Sequence, residues 1–191
     1  MTAARPQLLG AFAEGILLHE VYQQCKFALL ANHELTIAIL APITTTADIE
    51  PHMDAIWYGM QNLLVACANI SRLLWGDYQV ETMTQRQPLR KRLGVTAKSP
   101  LRKRNLRNHF EHVDVEIVDQ FGPEGAGGNF VGRNVGPQEM IKGARTPRFH
   151  HFDPQTGLLT FWKDSVSIPL LINELNRLLP IARTAARPWS Q

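Results

Sequence analysis

Six apolar residues constrain this chain most: Ile56, Met60, Leu63, Cys67, Ile70 and Leu74 recur at alternating steps of four and three. That period lines them along one seam of an α-helix, and such a seam requires a second helix packed against it at a shallow angle. The spacing predicts a helix from about Met53 to Trp75, ended by Gly76-Asp77. A bundle is the natural home for a helix of this kind.

The other helices follow from the same periodicity. Residues 7–34 read as a long helix, with Leu9, Phe12 and Ile16 and then, after a small phase shift, Val21, Cys25 and Ala28 on its inner face. Thr36 to Ala47 reads as a linker in which Pro42 and three consecutive threonines break the helix, and TIAILAP reads as a short strand or extended chain. Pro88 suits the first turn of a short third helix through Leu93. Ser99-Pro100 reads as the N-cap and first turn of a fourth helix that runs to Phe121. Pro169 to Ala186 is the closing helix, with Leu171, Leu175, Leu178 and Leu179 inward.

Between the fourth helix and the closing helix the pattern changes. Residues 122–146 are glycine-rich and read as a loosely ordered insertion. Residues 148–163 read as a β-hairpin whose turn, Asp153 to Gly157, places proline and glycine for a type I turn closed by a left-handed glycine. The expected fold is therefore all-α, a bundle of four to five helices with a small appended β-hairpin, in one domain over residues 1–191. No apolar run is long enough to span a membrane, and no leader pattern opens the chain. Cys25 and Cys67 sit among apolar residues and read as buried reduced thiols, which points to the cytoplasm.

The stretch Asn105 to Phe121, NLRNHFEHVDVEIVDQF, carries the chemistry. Leu106, Phe110, Val113, Ile117 and Phe121 form its apolar stripe. Arg107 and His112, five positions apart, lie about 140° apart around the axis at about 100° per residue. They flank a polar sector that also holds Asn108 and Glu111. Leading into it, the 29 residues between Glu81 and Glu111 contain nine bases (Arg86, Arg90, Lys91, Arg92, Lys98, Arg102, Lys103, Arg104 and Arg107) and no acid. A net charge of only +3 therefore hides a concentrated basic segment. Arg90, Lys91, Arg92, Arg102, Lys103 and Arg104 are the candidate RNA-backbone contacts. No aromatic residue interrupts that run, which argues against base-specific stacking.

Arg107-Asn108-His109-Phe110-Glu111-His112 resembles the motif of HEPN domains, the family named for higher eukaryotes and prokaryotes nucleotide-binding. That motif is an arginine, usually followed by a polar residue, and then a histidine after four to six intervening positions. The spacing is also met by Arg104/His109, Arg102/His109, Arg145/His150 and Arg145/His151. Arg107/His112 is preferred for the wider match of RNHFEHVD and because Glu111, one turn on, can brace the guanidinium. Helical phase alone does not separate it from Arg104/His109.

The resemblance implies a metal-independent endoribonuclease with a composite site in a homodimer, and Arg107, Asn108, Glu111 and His112 as its catalytic residues. Its members often serve in toxin–antitoxin, defence or RNA-processing systems, so an antitoxin or regulatory protein joins RNA among the expected partners. The other function class open to such a bundle is a non-catalytic module that binds nucleotide, RNA or protein. No cofactor is expected. His109, His112, His150 and His151 with Asp114 and Asp119 match no familiar metal-ligand spacing, so no metal is expected either. His150 and His151 alternate faces of a strand, which predicts at most one of them inward. Trp57, Trp75 and Trp162 read as packing residues.

Overall fold

A computed structural model describes residues 9–103, 113–121, 131–140, 148–162 and 164–187. Helices dominate: α1 (Ala11–Leu40), α2 (Ile49–Trp75), α3 (Val80–Gln85), α4 (Gln87–Arg92), α5 (Val113–Phe121) and α6 (Ile168–Ala186). Four strands, β1 (Val131–Val135), β2 (Arg148–Asp153), β3 (Leu158–Phe161) and β4 (Asp164–Ser167), form one sheet in that order. None of the described helices is long and apolar enough to cross a membrane. The chain divides into two compact units. One comprises Met1–Leu30, Val65–Arg104 and Leu171–Gln191, and the other Ala31–Leu64 and Asn105–Leu170.

The seam of α2 is buried throughout, from Ile56 to Leu74. The helix starts earlier than its seam, at Ile49. The Asp48 carboxylate accepts hydrogen bonds from the backbone N–H and hydroxyl of both Thr44 and Thr45, which fixes the entry to it. Those bonds hold the Asp48 carboxyl below its ordinary range, the Thr44 hydroxyl contributing most.

α1 departs from expectation at both ends. Its buried residues are Gly15, Leu18, Val21, Cys25, Ala28, Ala31, Leu35 and Ala38, whereas Phe12 and Ile16 are exposed. Apolar side chains lie on two sides of this helix, so their number could not reveal which side faces inward. Thr36 to Leu40, expected to be extended, are helical because Leu35 and Ala38 continue the buried row.

The first unit is a helical core. Leu18, Val21 and Cys25 of α1, Cys67, Ile70 and Leu74 of α2, and Leu175, Leu178 and Ala182 of α6 are all buried in it, as are Leu89 of α4 and Leu93 and Leu101 from the connecting turns. Both cysteines are free and buried, as expected. Burial, helped by the charge of Glu174, pushes the Cys25 thiol up to about 12, and burial pushes Cys67 up as well.

In the second unit Gly59 of α2 lies against Leu35 of α1, and a Cβ built at Gly59 would stand 3.1 Å from the Leu35 Cα. The expected hairpin is present as β2 and β3, paired antiparallel with Phe152 opposite Leu159. Gly157 closes its turn at φ +65, and its N–H donates to the Asp153 carbonyl at 2.8 Å.

The sheet is nevertheless larger than a hairpin. β4 adds antiparallel to β3, and β1 adds parallel to β2 with Val131 opposite Arg148. β1 comes from within the glycine-rich segment expected to hold no packed element, so that reading is corrected for residues 131–135. A parallel partner is recruited through a crossover of about a dozen residues and leaves no local turn signal. β2 is consequently an inner strand, and Phe149, His150, His151, Phe152 and Asp153 are all buried. Both histidines point into packed surroundings, against the expectation that at most one would.

Candidate nucleic-acid interface

The motif residues Arg107, Asn108, Glu111 and His112 lie outside the described residues, as do Arg104, His109 and Arg145. What the structure describes is the stem leading into them. Pro100–Arg102 form a single 3-10 turn, and Lys103 is extended at φ −77, ψ 122. The fourth helix is therefore not continuous from Ser99 to Phe121. The Ser99 hydroxyl does not cap it, and instead donates to Glu174 Oε1 at 2.8 Å.

Three contacts anchor this stem in the first unit. Leu101 is fully buried. The Arg102 carbonyl accepts hydrogen bonds from Ser71 Oγ at 3.2 Å and from the Tyr78 hydroxyl. Glu174, which holds Ser99, is itself gripped by Arg177 through Nε at 2.7 Å and Nη2 at 2.9 Å. These bonds, the Arg177 pair first, keep the Glu174 carboxyl below its ordinary range despite partial burial. The basic chain thus reaches Lys103 from a fixed base.

The basic residues divide by role. Lys91, Lys98 and Lys103 are exposed, and Arg102 is half-buried. Arg92 is exposed and pairs with Glu14 at 3.3 Å. Arg90 turns inward. Its Nη1 donates to the Leu74 carbonyl at 2.6 Å, its Nη2 to the Met83 carbonyl at 2.8 Å, and its guanidinium stands 5.9 Å from the centroid of the Trp75 ring. Burial, with Arg102 nearby, lowers its pKa. The sequence marks Arg90 as a cation but carries no sign that the end of α2 needs a donor.

On the far side of the motif, α5 exposes Asp114, Val115, Ile117, Val118 and Asp119. Ile117 is 42% exposed, so this member of the expected stripe is not buried. In the second unit, His151 Nδ1 lies 2.8 Å from Asn134 Nδ2, and His150 packs edge-on against Trp57 and Phe161. Burial of both rings makes Arg145/His150 and Arg145/His151 unsuited to meeting a polymer. Among the described residues no group of three or more histidines, cysteines or acids is placed to hold a metal.

The chain matches no family model, no curated protein and no solved structure. Two features are adjacent in the sequence: a basic segment, which the described structure anchors at Ser99–Arg102 with Lys91, Lys98 and Lys103 exposed, and the Arg-Asn-x-x-x-His pattern that follows within a few residues.

Proposed function

We propose that this protein is a metal-independent endoribonuclease of HEPN type that acts in the cytoplasm as a homodimer. The reading rests on one observation: the Arg107–His112 pattern directly follows a basic segment free of acids and anchored to a helical core. Histidine is the side chain whose unperturbed pKa, about 6.5, lies near neutrality, so His112 is the residue assigned to take the proton from an RNA 2′-hydroxyl or deliver one to the departing 5′-oxygen. Arg107 binds the equatorial phosphate oxygens with its planar fork, and Glu111 holds that fork in place. Asn108 orients the imidazole or donates to phosphate. Two proton transfers with one motif histidine per chain favour a homodimer, in which a second copy supplies the other. The exposed lysines and Arg102 hold the backbone, with Arg104 continuing the run. A role in toxin–antitoxin, defence or RNA processing, with an antitoxin or regulatory partner, fits such an activity.

Incubating the purified protein with unstructured RNA in EDTA tests this. The expected products carry 2′,3′-cyclic phosphate and 5′-hydroxyl ends. RNA bound but left intact would instead make the chain a non-catalytic binding module, and 3′-hydroxyl ends would point to metal-dependent hydrolysis.

A further inference from the structure

α1 is apolar on two sides, and only one of them is used by the core. Ile16, Phe27 and Leu30 of the first unit are 53%, 54% and 56% exposed. Together with Ala13, Glu20 and Gln23 they follow steps of three and four, the spacing of a helix-pairing seam. A helix with apolar residues on both sides calls for cover on both.

The order of residues along this seam indicates the cover. Ala13, Ile16, Glu20, Gln23, Phe27 and Leu30 read apolar, apolar, polar, polar, apolar, apolar, the same in either direction. An antiparallel second copy, set about a two-fold axis between Glu20 and Gln23, therefore places like on like. Ile16 meets Phe27 of the second copy, Ala13 meets its Leu30, and Glu20 meets its Gln23, an acceptor facing an amide donor. Lys26, beside Phe27, comes alongside Glu20 of the second copy. Parallel pairing would instead set Glu20 against Glu20, which costs energy. Within one chain Glu20 already accepts from Gln24 at 2.8 Å, and Gln23 bonds His19 at 3.2 Å, so both polar residues carry partners into the contact.

We propose that this face of α1 is a two-fold antiparallel contact between two copies of the chain, centred on Glu20 and Gln23. This contact supplies the two-fold of the homodimer proposed above, and it does not depend on nuclease activity.

Light scattering in the absence of RNA should give twice the 21.5 kDa chain mass. Phe27→Asp should halve that mass while leaving the far-ultraviolet circular dichroism unchanged. A second measurement fixes the register independently of that variant's folding. Chains carrying Ile16→Cys and chains carrying Phe27→Cys, mixed and mildly oxidised, should form chiefly mixed disulfides, since the native thiols are buried. A monomeric wild type would overturn the proposal, and would leave the face to residues 1–8 or to another protein. A dimer indifferent to Phe27→Asp would place the contact elsewhere, and preferential Ile16→Cys self-pairing would refute the antiparallel register. Because no RNA is present, failure of the nuclease reading leaves these outcomes unaffected.

Discussion

Arg90 Nη1 donates to the carbonyl of Leu74 at 2.6 Å, at the point where α2 ends. The last turn of a helix leaves its carbonyls without intrahelical donors, and a cation placed there satisfies one and complements the helix dipole. The bond from Nη2 to Met83 ties the α3 turn to the same guanidinium.

Arg90→Gln should therefore destabilise the fold by about 1–3 kcal/mol, the range for a lost charged hydrogen bond. Arg90→Lys should recover only part of that loss, because an ammonium lacks the fork that reaches two carbonyls. Lys91→Gln, on an exposed neighbour, should leave the melting temperature unchanged. Thermal unfolding of the three variants checks this, and equal melting temperatures would remove Arg90 from its structural role.

Helix packing gives a second prediction. The Gly59 backbone approaches Leu35 too closely for a Cβ to fit without a shift of the neighbour. Overpacking against Leu35 costs about 1–3 kcal/mol, and Gly59→Ala regains about 1 kcal/mol of helix propensity, so Gly59→Ala should lose at most about 2 kcal/mol and the bulkier Gly59→Val should lose more. Denaturant unfolding reads both.

Glu174 links stability to pH. Its carboxyl is held below its ordinary range chiefly by the Arg177 hydrogen bonds, with a further bond from Ser99. A depressed acid contributes stability that is fully present above its unfolded pKa, about 4.3 for glutamate, and that is lost as pH falls through the lower folded value. Wild-type stability should thus fall in acid below about pH 4.3, and Glu174→Gln should flatten that limb of the curve. An unchanged acid limb in the variant would show that other carboxylates govern it.

Some of this architecture was legible in the sequence, and the reasons differ by element. The α2 seam, the Gly157 turn and α6 could be read because each depends on nearby residues: a period, a turn chemistry, a stripe. The inner face of α1 could be read only in part: Val21, Cys25 and Ala28 are buried as expected, but Phe12 and Ile16 belong to a second apolar row, continued by Phe27, that the sequence does not distinguish from that of Leu18 and Cys25. β1 was hidden because Val131 to Val135 is a short, glycine-containing segment whose pairing is decided by distant β2. The inward role of Arg90 depends on where α2 ends in space, which charge counting does not capture. The motif could be read as a pattern, and Arg107 and His112 lie outside the described residues.

The division among the basic residues predicts where RNA affinity resides. Reversing Lys91, Lys98 and Lys103 to glutamate should weaken binding to unrelated RNAs alike. It should also reduce the salt slope by about 2, at about 0.7 ions released per single-stranded phosphate contact. Turnover at saturating RNA should change less. Binding measured from low to moderate salt checks this, and an unchanged slope would show that the segment faces solvent or a protein.

The most direct test of the central claim is RNA cleavage in EDTA by wild type, His112→Ala and His109→Ala side by side. Wild type should cleave, His112→Ala should lose nearly all activity with unaltered circular dichroism, and His109→Ala should retain it. Wild-type rates in His112→Ala would contradict the claim, and activity lost only in His109→Ala would move the site to Arg104 and His109.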